Sequence, residues 1–179
     1  MASVVFLRAV NVGGHQKFQP SVLAKQLAAF GVVSVGAAGT FVVHEKVSGA
    51  KLRTEMLCRL PFEPEMMICA AGDVLALMED EAFQGMSARG NVMRFVSVMQ
   101  KPLRKAPALP MEQPEGSKWV VRIVAVRGQF VLTLRRKLGG ANLYSNAVVE
   151  KQFGMPATTR NWNTITTICK LLKSAALRA

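Results

Sequence analysis

Apolar positions along the chain fall into short blocks whose spacing switches between the periods of strands and helices. Residues 3–10 are a continuous apolar run and predict a buried strand. Asn11-Val12-Gly13-Gly14-His15 breaks that run with loop chemistry. Pro20-Ser21 opens a helical pattern in which Val22, Leu23, Gln26, Leu27 and Phe30 follow one face, with Gly31 as a stop signal. Residues 32–36 and 40–44 are rich in β-branched side chains, with Gly36 and Gly39 between them, and predict a hairpin or two short strands. A second helix is predicted over 48–60, burying Leu52, Met56, Leu57 and Leu60, and Pro61 and Pro64 end it. Residues 65–70 read as a strand, and Asp73 as the cap of a short helix holding Val74, Leu77 and Met78.

The pattern after that echoes the first part. A strand is predicted over 92–99, then a long loop rich in proline at Pro102, Pro107, Pro110 and Pro114. Residues 118–136 give the clearest signal, a hairpin turning at Arg127-Gly128. That register pairs Val126 with Gln129 and Arg122 with Thr133. It gathers Trp119, Val121, Ile123, Ala125, Phe130, Leu132 and Leu134 on a core face. Arg122, Val131, Thr133 and Arg135 fall on a mixed, partly open face. Two helices follow. One is capped by Asn142 and ended by Gly154 and Pro156; the last carries Trp162, Ile165, Ile168, Cys169 and Leu172 at helical spacing. Each half thus reads as a small sheet carrying two helices, an α+β arrangement and a structural duplication without an evident sequence repeat. The expected units are 1–85 and 86–179, packed together as one protein.

Composition adds three constraints. Half of the 179 residues are hydrophobic, which supplies a core and argues against disorder. No apolar run approaches the roughly 18–20 residues of a membrane span, and the opening residues lack a basic leader. Cys58, Cys69 and Cys169 are odd in number and form no C-x-x-C pair, which predicts a reducing, cytoplasmic setting without a disulfide framework. With only His15 and His44 beside them, no metal-ligand cluster or cofactor motif is present. The sequence carries no signal of oligomeric state.

Charge is the feature that changes the picture. The chain carries a net +12, yet through Gly85 the balance is −1 and from Met86 onward it is +13. Such asymmetry points to a polyanionic partner for the second part, or else to a solvated basic surface. The cations involved are Arg122, Arg127, Arg135, Arg136 and Lys137, with Arg94. Arg122 and Arg135 share the open face on the predicted register, which offers no Phe or Tyr for base stacking and so supports general polyanion affinity.

Two motifs suit anions. Arg8-Ala9-Val10-Asn11-Val12-Gly13-Gly14 joins a strand end to a glycine turn, where backbone N–H groups can converge and Arg8 can supply a guanidinium fork. It matches no nucleotide-binding fingerprint. Thr158-Thr159-Arg160-Asn161-Trp162-Asn163-Thr164 is predicted at the start of the last helix, with Thr159 or Asn161 as cap and Arg160 beside free N–H groups. The only general-base candidate near either motif is His15.

These two motifs carry a resemblance. Leu7-Arg8-Ala9-Val10-Asn11-Val12-Gly13-Gly14 resembles the L-R-G-I-N-V-G-G signature of the bacterial domain of unknown function 1697 family. Thr158-Thr159-Arg160-Asn161-Trp162-Asn163-Thr164 resembles its closing T-x-R-N-W-N-T signature, and Leu60-Pro61-Phe62 and the hairpin after Trp119 fall in similar order. Two departures stand out: Arg8-Ala9 where the family has Arg-Gly, and Ala38-Gly39-Thr40 where it has S-G-N before a strand. The resemblance implies two ferredoxin-like α/β-sandwich units and implies no activity. The functional expectation is a binding module for an anionic, phosphate-bearing ligand or a nucleic-acid backbone, using Arg8, Asn11, Gly13, Gly14, Thr159, Arg160 and Asn161. An enzyme acting on a small phosphorylated or carboxylated substrate, with His15 as base, is the alternative. A structural or interaction protein, in which these residues serve turns and caps, is the third.

Overall fold

The computed structural model describes residues 2–11, 17–83, 91–105, 107–137 and 143–176. By contacts the chain divides into two units: Met1–Glu79 with Asn163–Ala179, and Asp80–Trp162.

In the first unit the opening apolar run becomes β1 (Ser3–Leu7), followed by α1 (Pro20–Gln26) and a 3-10 turn over Ala28–Phe30. Gly31 stops that turn in the left-handed region, at φ 61°. Next come β2 (Val32–Ser34), β3 (Thr40–Val43), α2 (Gly49–Leu57), β4 (Met66–Ala70) and α3 (Ala71–Ala76). The sheet is antiparallel throughout, in the order β2-β3-β1-β4. Register places Val5 opposite both Phe41 and Ile68, so one face of the sheet lines up Val5, Leu7, Phe41, Val43 and Met66. Leu23, Ala24 and Leu27, with Leu52 and Met56 of α2, pack against that face and complete the core. Each of these Val, Leu, Phe and Met side chains contributes about 1.5–3 kcal/mol when fully buried.

Three sequence expectations shift here. Val22 and Gln26 are exposed, because α1 turns only Leu23 and Ala24 inward. α2 stops at Leu57; Arg59 and Leu60 continue with tighter three-residue hydrogen bonds to Met56 and Leu57 before Pro61. Ser48 caps α2, its Oγ accepting from the Lys51 N–H at 3.2 Å. Asp73 lies inside the first turn of α3, and Ala70 holds the cap position.

The second unit opens with a 3-10 turn over Glu81–Phe83. Then follow β5 (Val92–Met99), β6 (Met111–Gln113), β7 (Val121–Arg127), β8 (Phe130–Arg136), α4 (Ser145–Phe153) and β9 (Ala157–Asn161). Its antiparallel sheet runs β6-β7-β8-β5-β9. Val148 and Val149 of α4 pack on Met99, Val121, Ile123, Val131 and Ala157. Among the described residues α4 is the one α-helix lying wholly in this unit, against the two expected. α5 (Trp162–Ala176) passes into the first unit from Asn163 onward. There Ile165, Ile168, Cys169 and Leu172 are buried, and the Cys169 thiol donates to the Val74 carbonyl at 3.6 Å. Burial raises the pKa of that thiol, against a smaller opposing effect of Lys173. The break near residue 85 therefore falls at Asp80, and the last helix belongs with the beginning of the chain.

The long hairpin is present in a different register. Arg127 pairs with Phe130, so the loop is Gly128-Gln129, with Gly128 at φ 57° in its first position. Two-residue hairpin loops require a positive φ there, and glycine supplies it. A register shift between Ile123 and Ala125 leaves Val124 as the extra residue of a bulge. Arg122 consequently faces Leu134, and Arg135 faces Val121. The two arginines project from opposite faces of the sheet, contrary to expectation. Of the residues expected on a partly open face, Val131 and Thr133 are fully buried, while Arg122, Val124, Val126, Gln129 and Arg135 are half-buried.

Candidate functional site

The loop leaving β1 is a latch. The Arg8 N–H donates to the Glu65 carbonyl at 2.9 Å, and the Arg8 guanidinium pairs with the Glu65 carboxylate at 3.2 Å. Ala9 and Asn11 both adopt positive φ, 57° and 55°. The Asn11 side chain donates from Nδ2 to the Ala37 carbonyl at 2.7 Å and accepts from the Phe18 N–H at 3.0 Å. It thereby ties three stretches of chain together. Gly39 is at φ 67°; its carbonyl accepts from the Leu7 N–H at 2.8 Å, and it lies directly against Val10 and Leu7. The loop before β3 is thus tied to the described part of the loop after β1, through Leu7 and Asn11. Gly13, Gly14 and His15 lie outside the described residues.

Alanine at position 9 is a poor fit for its backbone. A left-handed conformation costs an L-residue about 1–2 kcal/mol, partly offset in glycine by its larger loss of chain entropy. Ala9→Gly should therefore raise stability by about 0.5–1 kcal/mol in a urea titration. An unchanged or lower midpoint would show that the left-handed backbone at Ala9 is not strained.

The second motif runs from a strand into a helix start: residues 158–161 lie in β9, and Trp162, Asn163 and Thr164 open α5. Thr158, Thr159 and Arg160 lie in β9, opposite Val98, Ser97 and Val96 of β5. The Thr159 and Ser97 hydroxyls share a 2.6 Å hydrogen bond. Arg160 is buried, 7% exposed, and donates to the Thr158 hydroxyl at 2.7 Å and the Thr159 carbonyl at 2.9 Å. Burial lowers its pKa to about 10, so it keeps its charge at neutral pH. Asn161 is exposed at the end of β9, in the position preceding α5. Like Arg8, Arg160 has its charge engaged within the protein.

The basic residues divide into two kinds. Arg122 pairs with Glu112 at 2.5 Å, and Arg127 with Asp80 at 2.6 Å, so both are neutralised. Arg94, Arg135, Arg136 and Lys137 have no carboxylate at ion-pair distance among the described residues. Arg135 Nε donates to the Leu143 carbonyl at 2.8 Å, and its guanidinium lies 4.6 Å from the Tyr144 ring centre. Arg136 Nη1 donates to the Ser117 carbonyl at 2.8 Å and stacks 3.9 Å from the Trp119 ring centre, which also takes Arg122 at 4.3 Å. Arg94 lies 5.9 Å from the Phe83 ring. Carbonyls and rings orient Arg135 and Arg136 without cancelling their charge, and each guanidinium has more N–H donors than its one hydrogen bond to the described residues uses. Val92 and Met93 of β5 stand opposite Arg136 and Arg135, so these cations mark one end of the sheet.

The same unit has a cleft of about 520 Å³ between β6 and α4, lined by Met111, Glu112, Gln113, Glu115, Ile123, Val148 and Gln152. No cation lines it among the described residues, and its two carboxylates are Glu115 and the Arg122-paired Glu112, so these residues offer an anion no attraction. Among the described residues no group of three His, Cys, Asp or Glu side chains is placed to hold a metal ion. No helix among them is long and apolar enough to cross a membrane.

These features define an α+β protein with two antiparallel sheets and a cationic sheet end. No protein-family model and no curated protein matches the chain. Among solved structures it is similar to a conserved bacterial protein from Streptococcus pneumoniae, at 16% identity and a TM-score of 0.60, over 96% of this chain and 98% of that one. At that identity the likeness establishes the fold.

Proposed function

We propose that the protein is a binding module for a phosphate-bearing polyanion, engaged by the basic end of the second unit. The observation that carries this reading is the pair Arg135 and Arg136, two adjacent guanidiniums held in place by carbonyls and aromatic rings, with no carboxylate at ion-pair distance among the described residues. Adjacent strand residues point to opposite faces. A single phosphate does not reach both, whereas an extended polyanion crossing the sheet end does. Lys137 continues the row, and the net +13 after Met86 adds long-range attraction.

The test is fluorescence anisotropy with a labelled single-stranded oligonucleotide and with inorganic polyphosphate as competitor, at fixed moderate salt. The Arg135→Ala/Arg136→Ala protein should bind both roughly tenfold or more weakly, since each lost phosphate contact removes a salt-dependent electrostatic increment. Arg8→Ala should bind as the parent does. Unchanged binding by the double variant would contradict the proposal.

We also propose that both units follow one ferredoxin-like β-α-β-β-α-β plan, and that the chain is a divergent relative of the domain of unknown function 1697 family. Support for the first comes from strand order. β2-β3-β1-β4 in one unit corresponds to β7-β8-β5-β9 in the other, with the proline-rich stretch and β6 standing where α1 would be. Support for the second is the pair of end motifs.

A further inference from the structure

We infer that the polyanion is a single-stranded nucleic acid, with Tyr144 as a stacking platform for an unpaired base; this rests on the polyanion reading above. Tyr144 is the only tyrosine in the chain. At 54% exposure it is also the most exposed large hydrophobic side chain among the described residues. An aromatic ring left in water at a cationic edge is unusual, because rings of this size normally contribute buried area. Its position is fixed from two sides: Tyr144 directly precedes α4, and the Arg135 guanidinium lies 4.6 Å from its centre while bonding the neighbouring Leu143 carbonyl. Met93, 37% exposed, stands opposite Arg135 on β5. An aromatic ring, a guanidinium plane and a thioether are thus gathered at one point, with Arg136 and Lys137 next along the chain.

That combination matches the chemistry of one ligand class. Unpaired bases offer flat π faces that stack on aromatic rings and guanidinium planes, and the phosphates linking them need cations alongside. A duplex hides its base faces in the stack and presents only groove edges and backbone, so it would use the arginines and not the ring. An inorganic polyphosphate has no faces to stack at all. The three ligands therefore separate the ring's contribution from that of the charges.

The experiment uses the full chain, with a short labelled single strand, the matching duplex and inorganic polyphosphate at one salt concentration. Tyr144→Ala should weaken single-strand binding roughly five- to hundredfold, the range of one base–aromatic stack, and leave polyphosphate binding within about twofold of the parent. Tyr144→Phe should restore most of the loss, because the ring and not the hydroxyl stacks. Thermal unfolding of both variants checks that each is folded. Undiminished single-strand binding by Tyr144→Ala, an equal loss on polyphosphate, or a preference of the parent for duplex overturns the inference and leaves the polyanion reading standing. Failure of all three ligands to bind the parent overturns both.

Discussion

Gly39→Ala will destabilise the protein by about 2–5 kcal/mol, the sum of a left-handed backbone penalty of about 1–2 and an overpacking cost of about 1–3 kcal/mol. Gly39 sits at φ 67°, where an L side chain is strained whatever the space. The space is also absent. An added Cβ would lie 2.5 Å from Val10 Cγ2 and 2.9 Å from Leu7 Cβ, both well inside contact distance. Neither neighbour gives way easily, since Val10 is 2% and Leu7 1% exposed, and Leu7 anchors the end of β1 through the Gly39 carbonyl. Gly36→Ala is the matched control. Gly36 has a similar φ, 65°, with nothing within 4 Å of its added Cβ, so it should show only the backbone penalty. Guanidinium unfolding of the two variants reads the difference. Equal losses would mean that the contact with Leu7 and Val10 relaxes without cost.

Asn11→Ala should cost about 1–3 kcal/mol, because two hydrogen bonds worth about 1 kcal/mol each are lost and alanine tolerates the left-handed backbone less well than asparagine. The bonds reach Ala37 and Phe18, 26 and 7 residues away, so their loss loosens the whole latch. Asn11→Gly separates the two contributions, since it removes the hydrogen bonds but not the backbone tolerance. A variant of normal stability that fails to bind ligand would return Asn11 to the role of a recognition residue. The geometry instead makes it a staple, with both ends of its amide committed inside the first unit.

How far the sequence carried depends on the kind of signal. β1, the β2-β3 hairpin, β5 and the two strands of the long hairpin were legible, because runs of β-branched and apolar residues are local statements. β6 was hidden: its three residues lie between Pro110 and Pro114, which suppress a strand pattern but are tolerated on an edge. β9 read as a helix start because Thr, Arg and Asn suggest caps, although two consecutive threonines also favour an edge strand. The hairpin register slipped because nothing in Arg127-Gly128-Gln129 says whether the glycine is first or second in the loop, and the Val124 bulge has no sequence mark. Charge was the least legible. Asp80 neutralises Arg127 from 47 residues away, and Glu112 neutralises Arg122 across two strands. That Arg94, Arg135, Arg136 and Lys137 keep no carboxylate partner among the described residues is evident only once those pairings are known. Tyr144 lies outside the hairpin, and its partner Arg135 reaches it from a neighbouring element, so no local pattern in the sequence marks it as a stacking platform.

The central claim is that Arg135 and Arg136 form a polyanion contact, and the salt dependence of binding addresses it most directly. The measurement is the affinity of the parent and of Arg135→Ala/Arg136→Ala for one single-stranded oligonucleotide across a series of salt concentrations. For a single strand, log affinity falls with log salt by about 0.7 per phosphate contact. The account predicts a steep line for the parent and one shallower by roughly 1.4 for the double variant, the loss of two contacts. Parallel lines for the two proteins, or affinity insensitive to salt, would contradict it.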